Sequence, residues 1–104
     1  MKILAILAAL FLSIGYGYAQ TYEKFVEKSF DFLDKNDLVS AEESLRAAMR
    51  LEPGNPNNYA LLMNLGTIQR RQGKLEDALL SYTAALSRHP NNEAILENRA
   101  GLYT

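Results

Sequence analysis

The fold is decided by one stretch, residues 62–90, which reads Leu62-x-x-Leu65-Gly66-x-x-Gln69, then Gly73, then Ala78-x-x-x-Tyr82-x-x-Ala85, and which ends at Pro90. Apolar or small residues recur at helical spacing on both sides of Gly73, and this predicts two amphipathic helices joined by a sharp turn. Gly66 and Ala78 are small where the helices must come close, and Tyr82 is large enough to fill the space between them. The stretch therefore predicts a tightly packed helical hairpin.

The same pattern occurs before and after this stretch. Ala41 of the first copy lies 37 residues before Ala78 of the second copy. A third copy follows the second at an interval of 34 residues. The three extra residues lie in the segment 54–58, where Gly, Pro and Asn tolerate an insertion. The first copy places Phe25, Phe32, Ala41, Leu45, Ala48 and Pro53 at the positions of the second, and the third places Leu96, Ala100 and Tyr103 there.

This pattern resembles the tetratricopeptide repeat, a helix-turn-helix unit of about 34 residues. Leu62, Leu65-Gly66, Ala78, Tyr82 and Pro90 carry the resemblance, whereas Gln69 stands where the family usually has Tyr. The resemblance implies an all-α fold of antiparallel helix-turn-helix repeats stacked as a short right-handed α-solenoid. It also implies a repeat domain at residues 20–104, which contains repeats at about 22–55 and 59–92 and a partial repeat at 93–104.

Helix ends follow from turn and capping residues. Helices are predicted over residues 21–35, 38–51, 58–72 and 74–88. Asp37 has the side-chain oxygen that an N-cap needs, and Asn57 or Asn58 suits the start of the third helix. Gly73 suits a left-handed residue at the end of that helix.

The third repeat is incomplete, since the sequence stops inside its first helix. Tetratricopeptide arrays usually need about three repeats and a capping end. We therefore expect the chain to be a piece of a longer protein, with the alternative that the lone helix is itself the cap. Leu96 or Tyr103 is expected to be partly exposed to solvent. This apolar surface would allow the chain to form a homodimer through its last helix.

Residues 1–19 have the pattern of a secretory signal peptide. Lys2 precedes an apolar run at residues 3–12, and Gly17-x-Ala19 fits the cleavage rule of small residues. The short basic start is typical of bacteria, so we expect cleavage after Ala19 and a periplasmic or secreted protein. The alternative is an uncleaved membrane anchor, although a spanning helix needs about 20 apolar residues.

Composition excludes several classes of function. After Ala19 the chain has ten basic and twelve acidic residues, a net charge of −2, so there is no basic excess for nucleic acid. The sequence has no cysteine and a single histidine, His89, which we interpret as a solvent-facing cation at a helix end. No nucleotide-binding loop, nucleophilic triad or metal-ligand spacing is found. We expect no catalytic residues, no cofactor and no metal.

The resemblance also implies a binding surface, because in this family the first helix of each repeat lines a concave groove that holds a partner's peptide or helix. Asn64 could pair with a peptide backbone, and the Arg70-Arg71 pair could meet an acidic group. The alternatives are that this arginine pair is only solvated and that Phe30 and Met63 only pack in the core. The groove positions predicted to bind the partner are Val26, Phe30, Asp34, Met63, Asn64, Thr67, Arg70, Arg71 and Asn98.

The sequence therefore predicts a non-catalytic protein-interaction or scaffold module. One alternative is the N-terminal docking region of a larger exported protein whose effector domain lies beyond residue 104. Another is a subunit of a membrane complex, anchored by the uncleaved segment 3–19.

Overall fold

Five α helices follow one another in the computed structural model, which describes residues 21–103. The first helix of each hairpin packs along the second, and the fifth helix packs on the fourth. The prediction of an all-α fold built from helix-turn-helix repeats is confirmed. The predicted signal segment, residues 1–19, lies outside the described residues. The helices are α1 (Tyr22–Asp34), α2 (Leu38–Leu51), α3 (Asn58–Arg71), α4 (Leu75–Arg88) and α5 (Glu93–Ala100), and a 3₁₀ turn (Gly101–Tyr103) follows α5.

The two hairpin turns have the same backbone conformation although their residues differ. Asn36 has φ 58° and Gly73 has φ 80°, so each occupies the left-handed position that ends a helix. The next amide donates back to the carbonyl five residues earlier in both turns, from Asp37 to Phe32 and from Lys74 to Gln69, each at 2.8 Å. The predicted left-handed role of Gly73 is confirmed.

The Asp37 carboxylate caps α2, as its sequence position predicts. Its Oδ1 accepts a hydrogen bond from the Ser40 amide at 3.1 Å. Hydrogen bonding by the Ser40 side chain, followed by that of the Ser40 amide, holds the pKa of the Asp37 carboxyl below its usual value, because both stabilise the ionised form.

Side chains inside the stack form two apolar clusters that share a residue. The first cluster joins α1, α2 and α3, and the second joins α4 and α5. Leu62 packs against both clusters and so links one repeat to the next. The buried members of the first cluster are Tyr22, Ala41, Leu45, Ala48, Leu61, Leu65 and Ile68, and those of the second are Ala78, Tyr82, Ala85, Leu86 and Ile95.

Gly66 of α3 lies directly against the ring of Tyr82 of α4. A Cβ added to Gly66 would lie 2.7 Å from Cε1 of Tyr82, which is shorter than any normal contact. The Tyr82 hydroxyl continues past the glycine and lies 2.8 Å from Oγ1 of Thr67. The small residue at this point of the sequence pattern is therefore required by the bulk of the tyrosine.

A buried amide joins the first repeat to the second. The Tyr22 hydroxyl donates to Oδ1 of Asn58 at 2.8 Å, and Nδ2 of Asn58 donates to the carbonyl oxygens of Glu52 and Pro53. Asn57 occupies the N-cap position of α3, as predicted, but its side chain makes no capping bond, and the Asn58 side chain is buried instead. Its amide instead holds the longer connection, residues 52–57, against α1.

Gln69 stands where the family usually has tyrosine, and it makes polar contacts at this position. Its amide is buried. Both amide atoms have hydrogen-bond partners when Nε2 donates to the Asp77 carbonyl oxygen (3.1 Å) and to Oγ of Ser81 (2.6 Å). Oε1 then accepts from Nη2 of Arg46, which lies on α2 of the preceding repeat, at 3.3 Å. Gln69 thus contacts both its own hairpin partner and the neighbouring repeat.

Candidate functional site

The candidate site is the surface formed by α1, α3 and α5, which we call the inner face. Its predicted residues occupy matching positions, since Val26 and Met63, like Phe30 and Thr67, are 37 residues apart. Asn64 and Asn98 are 34 residues apart, the interval of the second repeat. The three first helices therefore present equivalent rows of side chains.

The apolar part of the inner face is centred on Phe30. Its side chain is 48% exposed, although it lies between helix positions that pack in the core. Val26 is half-buried against the first cluster, and Met63 is half-buried against the second. Val26 and Met63 thus have a packing role as well as a surface, whereas about half of Phe30 is available to a partner.

The polar part of the inner face lies on α3 and α5. Asn64 and Asn98 are both half-buried, and a carboxamide both donates and accepts hydrogen bonds. Thr67 is already engaged, because its hydroxyl lies 3.2 Å from the Met63 carbonyl oxygen and 2.8 Å from the Tyr82 hydroxyl. The two asparagines therefore offer more hydrogen-bonding capacity to a ligand than the threonine does.

The two arginines at the end of α3 point to different neighbours. Arg71 is exposed and donates from Nη2 to Oδ1 of Asn36 in the first hairpin turn, at 2.9 Å. Arg70 is half-buried, and its Nη1 lies 3.9 Å from the position a Cβ would take on Gly101. The pair thus extends towards the first repeat on one side and the third on the other, rather than forming one compact cationic site.

Charge changes sign along the inner face. Glu23, Glu27 and Asp34 are exposed on α1, while Arg70 and Arg71 lie at the end of α3. Asp34 occupies the position on α1 that Arg71 occupies on α3, one repeat later. A ligand lying across the helices would therefore meet an acidic edge at the first repeat and a basic end at the second.

A groove that the sequence analysis did not foresee lies on the other side of the first repeat, between α1 and α2. It has a volume of about 480 Å³ and is open to solvent. Lys28 lies at its wall with Nζ 5.7 Å above the Phe25 ring. Charges of both signs line it, so it has no evident preference for one charge. It is lined by Phe25, Lys28, Asp31, Phe32, Lys35, Ser40, Glu43, Ser44, Ala47 and Arg50.

His89 was predicted to face solvent at a helix end; it is exposed and also makes a ring contact. The imidazole packs on the Tyr59 ring at a centroid distance of 3.9 Å and an interplanar angle of 48°. It thus contacts the start of α3 as well as solvent.

Among residues 21–103 no three His, Asp or Glu side chains come together in a way that could hold a metal ion. No helix in the same range is both long and apolar enough to cross a bilayer.

Comparison with known proteins places this geometry in context. Residues 59–92 match the tetratricopeptide repeat family. The chain is similar to a tetratricopeptide repeat protein from Parabacteroides merdae ATCC 43184, whose crystal structure aligns with 81% of this chain at 74% identity and a TM-score of 0.79. It is also 36% identical, over 80 residues and 77% of its length, to the human Protein O-mannosyl-transferase TMTC1. The chain spans 33% of the bacterial protein and 9% of the human one.

Proposed function

Because the chain carries a tetratricopeptide repeat and shares the fold of a tetratricopeptide repeat protein, we propose that it binds a peptide or helix of a partner protein on its inner face. Such repeats generally mediate protein–protein interaction, and the fold is typically a non-catalytic scaffold. The proposed role is that of an interaction module without chemistry of its own.

The observation that carries this proposal is the 48% exposure of Phe30 on a set of first helices that also carry two amides in matching positions. An aromatic side chain that is half exposed can bury substantial further area against a ligand. Asn64 and Asn98 lie on successive first helices, α3 and α5. A carboxamide both donates and accepts hydrogen bonds, so each asparagine can pair with the backbone of an extended peptide, and Phe30 can anchor one of the peptide's apolar side chains.

Site-specific photocrosslinking tests the proposal. A photoreactive phenylalanine analogue is introduced at Phe30 in one variant and at Val39, which is 62% exposed on α2, in a matched control. Proteins crosslinked in the source cells are then identified by mass spectrometry. A partner that crosslinks at Phe30 and not at Val39 supports the inner face. Equal crosslinking at both positions, or crosslinking at Val39 alone, moves the site elsewhere.

We extend the proposal to the location of the protein. The support is the pattern of residues 1–19, which indicates export from a bacterial cell with cleavage after Ala19. The test is the intact mass of the protein from its own cells. A mature N-terminus at Gln20 supports a periplasmic or secreted protein, and an N-terminus at Met1 contradicts it.

A second candidate function is favoured by the length of the relatives. Because the chain spans only 33% and 9% of them, the repeats could serve as the N-terminal docking region of a larger exported protein. An effector domain beyond residue 104 would then carry the activity. The same mass measurement distinguishes this candidate, since it predicts a mass well above that of residues 20–104.

A third candidate is a membrane-anchored subunit of a complex, favoured by the apolar run at residues 3–12. If this segment stays uncleaved, the protein should remain in the membrane pellet after carbonate extraction. Release into the supernatant would contradict anchoring by the N-terminal segment.

A further inference from the structure

One side of α1 within the inner face carries three carboxylates and one aromatic ring. Its members follow one another at intervals of four, three and four residues, which places them in one row along the helix. All four side chains are exposed. The ring that we propose as the anchor of the partner thus lies among acidic groups. This acidic row consists of Glu23, Glu27, Phe30 and Asp34.

The negative charge of the acidic row is confined to the first repeat. The corresponding positions on α3, 37 residues later, and on α5, 34 residues after that, carry no acid. Small residues, amides, a hydroxyl and one arginine stand there instead. A ligand on the inner face therefore meets the carboxylates of this row only along α1. The corresponding positions are Ala60, Asn64, Thr67 and Arg71 on α3, and Ala94, Asn98 and Gly101 on α5.

The carboxylates of the row are available to a ligand. Within residues 21–103 neither Glu23 nor Asp34 forms an ion pair. Glu27 lies 3.5 Å from Nζ of Lys24, but the two side chains are 67% and 62% exposed. An ion pair so exposed contributes little to stability, so a ligand can displace the lysine at small cost.

Positive charge lies at the Asp34 end of the row. Asp34 ends α1 just before the first hairpin turn, and Arg71 donates to Asn36 in that turn. Glu27 and Glu23 lie about 10 Å and 16 Å farther along the helix axis. At physiological salt the field of an exposed charge is largely screened beyond about 8–10 Å. A cation is therefore favoured at Glu23 and Glu27 and disfavoured near the turn.

The spacing of Glu23, Glu27 and Phe30 matches that of alternate residues in an extended chain. Along the axis of α1, Glu23 and Glu27 are about 6 Å apart, and Glu27 and Phe30 are about 4.5 Å apart. Alternate residues of an extended chain project to the same side at intervals of about 6.6 Å. Three alternate side chains of one extended segment can therefore contact these three members of the row in succession.

From these observations we propose that the partner segment on the inner face is extended and basic, with two lysine or arginine residues at alternate positions and an apolar residue two positions from the second. The basic residues pair with Glu23 and Glu27, and the apolar residue packs on Phe30. This inference rests on the proposed function and adds the chemistry of the partner. The segment carries no base beyond its apolar residue, because Arg71 lies at that end of the row.

The test compares three labelled peptides by fluorescence anisotropy with the purified protein. The peptides have the sequence Gly-Z-Ser-Z-Ser-Leu-Ser-Gly, in which Z is arginine, glutamine or glutamate. The arginine peptide should show saturable binding at low salt. The glutamine peptide should bind about fivefold more weakly, because two exposed ion pairs are lost, and the glutamate peptide should bind more weakly still. Added salt should reduce the difference between the arginine and glutamine peptides.

Matched protein variants locate the basic residues of the peptide. Glu23→Gln combined with Glu27→Gln should weaken binding of the arginine peptide about fivefold and leave the glutamine peptide unaffected. The control combines Glu76→Gln with Glu43→Gln, which removes the same charge from exposed positions. Glu76 lies in the first turn of α4 as Glu23 lies in the first turn of α1. The control should bind the arginine peptide like the wild type, and circular dichroism checks that both variants keep their fold.

Several results would overturn the inference. One is an arginine peptide that does not bind, or that binds no more tightly than the glutamine peptide. Another is an equal loss in the two double variants, which would assign the effect to net charge. A third is arginine-peptide binding that Phe30→Ala leaves intact. Crosslinking at Phe30 is measured without these peptides, so a partner that crosslinks there and lacks the basic pattern would uphold the proposed function and overturn only this inference.

Discussion

The Tyr22 hydroxyl donates a hydrogen bond of 2.8 Å to the buried carboxamide of Asn58, 36 residues later in the chain. The same carboxamide is bonded to the carbonyl oxygens of Glu52 and Pro53. One side chain therefore fixes the start of α1, the start of α3 and the connection before α3. These bonds hold the connection, which contains the three extra residues, against α1.

Removal of this hydroxyl should destabilise the stack. Tyr22→Phe leaves Oδ1 of Asn58 buried without its donor, so we expect a loss of about 1–3 kcal/mol in the free energy of unfolding. Urea denaturation followed by circular dichroism measures it. Tyr59→Phe is the matched control, since Tyr59 packs on His89 through its ring, a contact that the variant keeps, and it should cost less. Equal losses in both variants would argue against a special role for the Tyr22–Asn58 bond.

Alkaline pH should weaken the fold through the same tyrosine. Burial, followed by the nearby charge of Glu52, raises the pKa of Tyr22 above its ordinary value of 10.0. The unfolded chain therefore ionises at lower pH than the folded one, and stability present below pH 10 is lost as the pH rises through the folded pKa. Urea unfolding at pH 8 and pH 11 should show a smaller pH effect in Tyr22→Phe than in the wild type. An identical effect would assign the alkaline loss to other groups.

Gly66→Ala should overpack the contact between α3 and α4. The new methyl group would meet the Tyr82 ring at 2.7 Å, so we expect a loss of about 1–3 kcal/mol. In a Tyr82→Leu background, which imitates the Ser29 and Leu45 pair of the first repeat, the same change should cost less. A double-mutant cycle measures this coupling. Additive losses would contradict a direct clash between these two residues.

Gly73→Ala should destabilise the second hairpin turn. Its φ of 80° is disfavoured for any residue with a Cβ, by about 1–2 kcal/mol. Gly54→Ala is the matched control, because φ there is not positive and no atom lies within 4 Å of the added Cβ. Thermal unfolding should therefore show a lower Tm for Gly73→Ala than for Gly54→Ala. The opposite order would be inconsistent with the backbone explanation.

Phe30→Ala should separate binding from stability. The side chain is 48% exposed, so its truncation should lower the free energy of unfolding by only about 1 kcal/mol. Affinity for the partner identified by crosslinking should fall, because the apolar anchor is lost. Isothermal titration calorimetry of wild type and variant measures this. Ala78→Leu is the contrasting change, since Ala78 is 0% exposed and the variant should lose stability by overpacking.

The sequence predicted the helices, the hairpin turns and the helix-pairing residues because each depends on local spacing that recurs. Gly66, Ala78 and Tyr82 could be identified without coordinates, and so could the left-handed position of Gly73. Side-chain amides and guanidinium groups were harder to predict, since their partners lie in other repeats. Asn58 was expected at a helix cap and is instead bonded to Tyr22.

The arginine pair shows the same limit for the candidate site. The sequence suggested that the two arginines could together meet an acidic group, but Arg71 bonds to Asn36 and Arg70 extends towards Gly101. The direction of a long side chain depends on which acceptors the adjacent repeats offer. That information is absent from the periodicity of a single helix.

The position of Leu62 has a consequence for how the chain loses its structure. Because this side chain packs against both apolar clusters, loosening either cluster removes contacts from the other. In a linear array each repeat contacts only its neighbours, and such shared contacts set how strongly neighbouring units melt together. The two hairpins should therefore unfold cooperatively as one unit.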